Sequence, residues 1–570
     1  MDFSMTYSTP PRDLDLEAAL GIFSEASGAE RGAIFTKAEV VEFILDIVGY
    51  NASYPLFAER LLEPSFGAGE FLRAAVRRLF DAYRRAELPI DEAVFRLAPA
   101  IRAVELHRET FHHTKAILLS DLIAEGMKRQ DAEVLLESWL ICDDFLLTHL
   151  EGGFTKIVGN PPYLRQEMIP GPLLAEYRRR FETLFDRADL YIPFIERSLT
   201  LLEPGGELGF ICANRWIKNR YGAPLRRLVA SGGFHLKAFI DMEKASAFHS
   251  EVIAYPGIFF IARERGVCTA VAQAQQIEFE SLRSLASAIH AGAPDPRLTF
   301  LDRVAVGDAP WILDPADAVA ILRRFETELP TLEEAGCKVG IGVATGADRV
   351  FIAPYKEMSV EDERKLPLVM AADISSGEVR WKGMGVLNPF GEDGQLVPLD
   401  KYPRFATYVE AHAEVLRGRN VAKRNPSRWY RTIDRINVSL IKQPKLLLPD
   451  IKDHLNVVYE DGNLYPHHNL YYILSSVWDL RALQAVLLSD IARFFVGSYS
   501  TKMRGGFLRF QAQYLRRIRI PHWQDVPLEL RVALAEAARS QNRRACDDLA
   551  ATLFGLSTAE RESISRLLRG

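Results

Sequence analysis

Cysteine is scarce in this sequence, and long apolar runs are missing. The five cysteines lie far apart and never form a Cys-x-x-Cys pair: Cys142, Cys212, Cys268, Cys337 and Cys546. This spacing predicts neither a disulfide framework nor a zinc site, so we expect no metal. No segment reaches the about 20 consecutive apolar residues that a membrane-spanning helix needs, and residues 1–12 lack the pattern of an export signal. We therefore expect a cytoplasmic protein that makes no membrane contact.

The length and the pattern of apolar residues indicate several domains. The 570 residues, 48% of them hydrophobic, suffice for two or three separate cores. From about residue 33 to 260, amphipathic helical stretches alternate with short apolar runs such as 157–158, which predicts an α/β domain with a doubly wound parallel sheet. We place this domain at 1–265, a connector at 266–335, a mixed α/β domain at 336–525 and a helical segment at 526–570.

Two stretches of the chain are basic, although the net charge of the whole chain is −5. Residues 401–450 carry eleven Lys or Arg against four Asp or Glu, a net charge of +7, and residues 501–520 carry six basic residues and no acid. A basic run is more often a solvated face, but these two, with an aromatic side chain in the first, also suit contact with nucleic-acid phosphates and bases. The candidate contacts are Arg417, Arg419, Lys423, Arg424, Arg428, Trp429, Arg431, Lys502, Arg504 and Arg509.

The segment Asn160-Pro161-Pro162-Tyr163 follows a short buried-strand pattern and is too stiff to continue a strand or a helix. An amine conjugated to an aromatic ring is a poor nucleophile, and acceptors for both of its N–H bonds would localise its lone pair. The Asn160 side-chain oxygen and the Pro161 carbonyl can be these acceptors, and Tyr163 offers a flat face on which an extruded base can stack. Taken alone, the segment is also compatible with an ordinary turn.

A glycine loop lies upstream, between an apolar pair and a helical stretch. It includes Pro64, Ser65, Gly67 and Gly69, the arrangement expected of a nucleotide-type cofactor site. Glu105 ends the next strand pattern, where such folds bind a ribose. A third strand pattern ends at Asp143 and Asp144, where a carboxylate can accept from an adenine amino group.

In this order, the motifs resemble those of the gamma-class N6-adenine DNA methyltransferases of the TaqI type, over most of the chain. The resemblance implies a Rossmann-like class I methyltransferase sheet, S-adenosyl-L-methionine as cofactor and a base-flipping mechanism. It assigns Thr36 and Asp144, rather than Asp143, to the cofactor. It also assigns Phe248 to packing against the flipped adenine, opposite Tyr163. Lys37 replaces the family's usual proline, and Ser65-Phe66 replaces its usual pair before the first glycine.

The second half resembles the family's DNA-specificity domain at 339–348, 464–474 and 505–510. The resemblance therefore implies double-stranded DNA as partner. It also implies a role in restriction–modification or phage defence, with a possible separate endonuclease or other defence subunit. His467-His468 invites a metal interpretation, but no Cys, Asp or Glu lies at ligand spacing nearby, so we assign the pair to structure or DNA contact.

Three alternatives remain. The same Asn-Pro-Pro-Tyr motif occurs in methyltransferases that act on RNA amines or on protein glutamine, although the large basic second half favours DNA. A catalytically silent recognition subunit is disfavoured by the intact Asn160, Pro161 and Tyr163. A fused endonuclease would need a carboxylate cluster with a lysine, and residues 449–452, Pro-Asp-Ile-Lys, lack the spaced second acid.

Overall fold

The structure is a computed structural model that describes residues 13–26, 32, 34–249, 255–452, 456–500 and 508–569. Two compact units make up the chain, residues 1–316 and 317–570. Two of the predicted DNA contacts, Lys502 and Arg504, lie outside the described residues. No helix in the described parts of the chain is both long enough and apolar enough to cross a membrane.

The first unit is built on a nine-stranded sheet with the order β3-β2-β1-β4-β5-β7-β6-β8-β9. Its strands are β1 (Leu61–Glu63), β2 (Ile101–Glu105), β3 (Leu140–Cys142), β4 (Phe154–Gly159), β5 (Leu202–Ala213), β6 (His235–Asp241), β7 (Pro256–Ala262), β8 (Cys268–Gln273) and β9 (Leu298–Asp302). Strands β1 to β5 are parallel to their neighbours within this group. Strand β7 is antiparallel to both β5 and β6, a direction that the prediction of a parallel sheet missed, because hydrophobic patterns do not encode strand direction.

Helices cover both faces of this sheet, as a doubly wound fold requires. Along β1, Leu61 belongs to the hydrophobic core of one face and Leu62 to that of the other. The helices of the unit are α1 (Leu14–Glu25), α2 (Ala38–Ile47), α3 (Glu70–Arg85), α4 (Ala93–Leu97), α5 (Arg108–Ala124), α6 (Arg129–Trp139), α7 (Gly171–Arg180), α8 (Tyr191–Leu201), α9 (Ala223–Ser231) and α10 (Phe279–Ala291). Helices α2, α3, α6 and α10 pack on one face, and α7, α8 and α9 on the other.

The predicted connector at 266–335 differs from the structure. Strands β8 and β9 extend the large sheet at its edge, and α10 connects them in the chain. The strand β9 has only one fully buried residue, Leu301, so its alternation of apolar and polar residues is weak. The boundary between the compact units falls after residue 316, which is inside the predicted connector.

The second unit contains two four-stranded sheets, β10-β18-β14-β16 and β11-β13-β12-β17, and the pair β15-β19. Its strands are β10 (Cys337–Ile341), β11 (Ile352–Pro354), β12 (Lys365–Val369), β13 (Met384–Leu387), β14 (Lys445–Pro449), β15 (Ile451–Lys452), β16 (Val458–Glu460), β17 (Tyr465–Pro466), β18 (Leu470–Ser475) and β19 (Leu508–Arg509). Its helices are α11 (Ala316–Glu328), α12 (Asp348–Phe351), α13 (Pro403–Ala411), α14 (Ala413–Gly418), α15 (Asn420–Arg424), α16 (Leu480–Leu488), α17 (Asp490–Tyr499), α18 (Ala512–Leu515), α19 (Leu528–Arg539), α20 (Arg543–Leu553) and α21 (Thr558–Arg569).

Candidate active site

Asn160 lies directly after the buried strand β4, and its side-chain amide is held in one orientation. Nδ2 donates to the carbonyl oxygen of Ile34 at 2.9 Å and to Oγ1 of Thr36 at 3.2 Å. Both donor hydrogens are therefore used. The oxygen Oδ1 is buried and has no hydrogen-bond partner. Because a buried acceptor without a donor is costly, its presence here indicates a place for a ligand that brings an N–H group.

Thr36 also links the site to Phe248. The two residues form an antiparallel bridge, in which Lys37 N donates to the Ala247 carbonyl at 3.0 Å and His249 N to the Phe35 carbonyl at 3.1 Å. This pairing brings Phe248 beside Tyr163, with 6.1 Å between the ring centroids. The rings meet edge to face at 82°, so they are not the two parallel walls that the predicted base sandwich needs. Phe248 is also only 6% exposed and belongs to the core.

The loop after Asn160 is fixed by a close backbone contact. Tyr163 N donates to the Gly32 carbonyl at 3.1 Å, and Gly32 has a φ of +68°. A Cβ at Gly32 would lie 2.4 Å from the Tyr163 carbonyl oxygen, so only glycine fits. The Tyr163 hydroxyl is buried, and burial raises its pKa well above the usual value. Pro161 is buried, whereas Pro162 and the ring-bearing Tyr163 are half-buried.

The glycine loop and Glu105 form one hydrogen-bonded unit. Gly67 N donates to Oε2 of Glu105 at 2.9 Å, and His107 N donates to Oε1 at 2.8 Å. Gly67 and Gly69 have φ values of +50° and +87°, in the left-handed region that favours glycine. The Ser65 hydroxyl donates to the Asn160 carbonyl at 3.4 Å, while Pro64 is buried below the loop.

These groups meet at the carboxyl ends of β1, β2 and β4. The chain order reverses between β1 and β4, because β2 and β3 extend the sheet on one side of β1 and β4 lies on the other. Ligands of open α/β sheets bind in the crevice at such a switch point. The structure thus brings the glycine loop, Glu105, Thr36 and Asn160 together.

Glu63, the last residue of β1, was missed by the sequence analysis. It is 1% exposed, and its Oε2 has no hydrogen-bond partner. Burial, with Glu70 and Glu105 nearby, raises its pKa well above the usual value. A cationic ligand group would compensate this acid, and S-adenosylmethionine carries an ammonium group. The residues therefore fit that cofactor; the sequence clue was an acid placed between a buried strand and a glycine loop.

Asp144 is less available than predicted. It is 3% exposed; Leu146 N donates to its Oδ1 at 2.6 Å, and the Tyr177 hydroxyl donates to Oδ2. Its carboxylate is thus turned towards α7 and the core. The preceding Asp143 is half-buried and accepts from Asp144 N at 2.8 Å. Of the two acids, Asp143 is the more accessible.

Known proteins match both halves of the chain. The sequence model of the Eco57I restriction-modification methylase matches residues 78–248, and that of the TaqI-like C-terminal specificity domain matches residues 372–520. The type II methyltransferase M.PaeR7I of Pseudomonas aeruginosa is 55% identical over 552 residues, 96% of each chain. M.XhoI of Xanthomonas vasicola is 52% identical over 542 residues, 94% of this chain and 99% of the relative. The chain belongs to the type II methyltransferases.

This family consists of DNA methyltransferases of restriction–modification systems, which agrees with the resemblance found in the sequence. Among solved structures, a complex of the type IIL restriction-modification enzyme MmeI with DNA is similar in fold. Its TM-score is 0.61 at 13% identity, and the match covers 93% of this chain and 76% of that one.

In the specificity domain of this methyltransferase, two of the predicted DNA contacts belong to the interior. Trp429 is 6% exposed and packs in a core with Phe351, Phe405 and other apolar residues. Arg419 is half-buried and donates to the carbonyls of Trp429 at 2.8 Å and Thr345 at 3.1 Å. Neither is placed to contact DNA, because both are committed within the domain.

The other members of the basic run divide into two groups. Arg431 is half-buried and donates to its neighbouring carbonyls of Thr432 and Ile433, both at 3.0 Å. The exposed members are Arg417, Lys423, Arg424 and Arg428. These four exposed residues are therefore the members of the run that remain candidate phosphate contacts.

Arg509, from the second basic stretch, lies in β19, which pairs with β15.

A carboxylate lies beside His467 and His468 in the fold, although none is near them in the sequence. It belongs to Asp348, so the expectation that the pair has no acidic ligand neighbour is wrong.

Proposed function

We propose that this type II methyltransferase transfers the methyl group of S-adenosylmethionine to N6 of an adenine that is flipped out of double-stranded DNA. The observation that carries the proposal is the buried, unpartnered Oδ1 of Asn160, next to Pro161 at the carboxyl edge of the sheet. The relatives of the chain are type II methyltransferases, which supports DNA as the substrate.

In this mechanism, Asn160 Oδ1 and the Pro161 carbonyl accept the two N–H bonds of the target amine and localise its lone pair. Thr36 and the Ile34 carbonyl use both hydrogens of Nδ2, so the amide cannot turn its donor side towards the amine. The bound cofactor supplies a methyl group on a cationic sulfur. After transfer, the amine returns to neutrality by losing a proton to solvent.

Tyr163 provides the stacking face for the base, worth about 1–3 kcal/mol. For a second face, the Phe248 ring has to turn away from its edge-to-face contact with Tyr163. On the cofactor side, Glu63 compensates the ammonium group, the Gly67–Gly69 loop lies against the ligand and Glu105 binds the ribose. Asp143 is a better placed acceptor for the cofactor's adenine than Asp144, because it is less buried.

In the specificity domain, we assign the phosphate contacts to Arg417, Lys423, Arg424 and Arg428, the exposed members of the basic run. We also propose that the enzyme protects the host DNA from a separate endonuclease that reads the same sequence.

The test is methyl transfer from labelled S-adenosylmethionine to mixed-sequence duplex DNA, followed by nucleoside analysis. Wild type is compared with Asn160→Ala and with Asn51→Ala, an exposed control in the same unit. We expect N6-methyladenine from wild type and Asn51→Ala, and a loss of about 100-fold or more in Asn160→Ala, the range for removal of a positioned polar group.

Three results would contradict the proposal. N4-methylcytosine as the product would overturn the adenine assignment. Transfer only to RNA or to protein glutamine would overturn the DNA substrate. Cofactor binding without transfer to any of these would indicate a silent recognition subunit.

A further inference from the structure

The second unit holds a cluster of Asp348, His467 and His468, none of which takes part in the proposed methyl transfer. Their potential ligand atoms all lie within 4.8 Å of one another. His467 Nε2 lies 3.5 Å from Asp348 Oδ2. His467 is 2% exposed, and both of its ring nitrogens lack a hydrogen-bond partner. The buried Nδ1 of His468 lacks one as well.

The backbone of the two histidines is held firmly. His467 N donates to the Val369 carbonyl at 3.0 Å, and His468 N donates to the Val343 carbonyl at 3.1 Å. A Cβ at Gly342 would lie 2.2 Å from the His467 carbonyl oxygen, so glycine permits the approach of this loop to the histidines. The backbone that carries the two histidines is therefore held by two other segments of the chain, at residues 342–343 and at residue 369.

Asp348 is oriented by a neighbour. The Thr345 hydroxyl, which is fully buried, donates to Asp348 Oδ1. Oδ1 is thereby occupied, and Oδ2 is the atom that faces His467. A hydrogen-bonded carboxylate of this kind is typical of metal ligands, whose outer partners fix their direction.

We infer that Asp348, His467 and His468 bind one divalent transition-metal ion, with Zn²⁺ as the best match. Imidazole nitrogens at 2.0–2.1 Å and a carboxylate oxygen at about 2.0–2.2 Å from zinc, at tetrahedral angles, lie about 3.4 Å apart. The observed 3.5 Å between His467 Nε2 and Asp348 Oδ2 is close to this separation. Two imidazoles with one carboxylate favour Zn²⁺, Co²⁺ or Ni²⁺ over Mg²⁺ and Ca²⁺, which take oxygen ligands.

The ion would join two parts of the second unit. Asp348 begins α12, whereas the histidines lie between β17 and β18, 119 and 120 positions further along the chain. Three protein ligands leave a fourth position for water or another small ligand. Metal binding should therefore stabilise the folded second unit, because an ion that binds only the folded state raises the free energy of unfolding.

The experiment uses the full-length protein, freed of metal with EDTA and then desalted. Co²⁺ is added, and the visible d–d absorption is followed; Zn²⁺ affinity is measured by competition with a chromophoric chelator. The variants are Asp348→Asn and His468→Gln, and the control is His522→Ala, an exposed histidine. Circular dichroism confirms that each is folded; because His468 is half-buried, whereas His467 is buried, the His468 variant keeps the test valid if Asp348→Asn does not fold.

We expect wild type and His522→Ala to bind one equivalent of Co²⁺ in a low-symmetry site and to unfold at a higher temperature with Zn²⁺. In Asp348→Asn and His468→Gln, the Zn²⁺ affinity should fall at least tenfold, and the rise in unfolding temperature should shrink. The inference is wrong if wild type takes up no stoichiometric ion, or if His468→Gln binds as tightly as wild type. If the wild type binds no metal and His468→Gln binds DNA more weakly than the wild type, the histidines would instead be assigned to contact with a DNA phosphate.

Discussion

The side-chain nitrogen of Asn160 lies 3.2 Å from Oγ1 of Thr36 and donates to it, although the two residues are 124 positions apart. The same nitrogen donates to the Ile34 carbonyl. An amide can rotate by half a turn and exchange its oxygen and nitrogen, and only its hydrogen bonds prevent this. The Ile34 carbonyl can only accept, so it fixes which way the amide faces, and Thr36 takes the second hydrogen; an acceptor, not a donor, therefore faces the site.

The first prediction concerns this orientation. Thr36→Val keeps the shape of the buried side chain but removes the acceptor. We expect the single-turnover rate of methyl transfer to fall about 5- to 30-fold, the equivalent of one lost hydrogen bond of about 1–2 kcal/mol. Thr36→Ser keeps the hydroxyl and should retain most of the rate. Equal rates for Thr36→Val and wild type would show that the amide is held by other means.

The second prediction separates the two glycines of the cofactor loop. At Gly69 (φ +87°), a Cβ would lie 2.7 Å from Cγ2 of Thr114, so Gly69→Ala should lower the free energy of unfolding by about 2–3 kcal/mol. At Gly67 (φ +50°), no atom lies within 4 Å of the added Cβ. Gly67→Ala should therefore cost only about 1 kcal/mol of stability.

Gly67→Ala should nevertheless bind S-adenosylmethionine at least about tenfold more weakly, because the new methyl group occupies space where the ligand approaches the loop. Calorimetric titration and thermal unfolding measure the two effects. Unchanged affinity in Gly67→Ala would mean that the loop does not contact the cofactor.

The third prediction contrasts two arginines of the basic run. The Arg419 guanidinium donates to the carbonyls of Leu416, Thr345, Trp429 and Arg431, at 2.8 to 3.1 Å. Lysine cannot span these acceptors. Arg419→Lys should therefore lower the free energy of unfolding by about 1–3 kcal/mol, measured by denaturant titration.

Arg424 is exposed on α15, so Arg424→Ala should change stability by no more than about 0.5 kcal/mol. It should weaken DNA binding for all sequences alike and reduce the slope of log K against log salt by about 1. A normal salt slope in Arg424→Ala would remove this residue from the DNA contacts.

These residues also show what a sequence can and cannot predict. The sequence points to Asn160 and the glycine loop because their groups are contiguous in the chain and stand at the ends of strands. Trp429 was assigned to DNA because an aromatic residue inside a basic run carries no mark of burial; only the fold places it in a core. The choice between Asp143 and Asp144 depends on which way the chain turns after the strand ends. The two-residue periodicity of a strand does not continue beyond its end, so the sequence pattern cannot decide between them.

Distance in the chain limited the prediction further. The hydrogen bond from Asn160 to Thr36 and the approach of Asp348 to His467 are tertiary contacts, which no local sequence pattern predicts. Glu63 has a sequence clue, but its burial and its unpartnered oxygen are properties of the packed sheet.

The fourth prediction is a dependence of stability on pH. Burial raises the pKa of Asp189 from 3.8 to about 6, although Arg165 and Arg215 oppose this rise. The folded protein therefore holds this proton more tightly than the unfolded chain. The contribution of Asp189 to stability is fully present below about pH 4 and is lost as the pH rises through about 6.

Asp189→Asn should accordingly be more stable than wild type above about pH 7, by about 1–3 kcal/mol, and this difference should vanish towards about pH 4. Thermal unfolding between these pH values measures it. The control is Asp186→Asn, an exposed neighbour. A constant difference across the pH range would show that the Asp189 proton is not involved.

The fifth prediction concerns a buried ion pair in the second unit. Lys445 Nζ lies 2.5 Å from Oε2 of Glu460, and the side chains are 0% and 2% exposed. Burial lowers the pKa of Lys445, against the opposing effect of Glu460. Lys445→Met leaves the carboxylate buried without its cation, so the free energy of unfolding should fall by about 3–5 kcal/mol.

The second substitution tests whether the lost charge balance is the cause. Glu460 Oε1 also accepts from the backbone N–H groups of Asn463 and Leu464, at 2.6 and 3.1 Å. Glu460→Gln can keep an oxygen for these donors while removing the charge. Lys445→Met combined with Glu460→Gln should therefore recover more than half of the stability lost in Lys445→Met, in denaturant titrations at the same pH. If the double variant is no more stable than the single one, the loss arises from packing around Lys445, because the uncompensated charge is then absent and the defect persists.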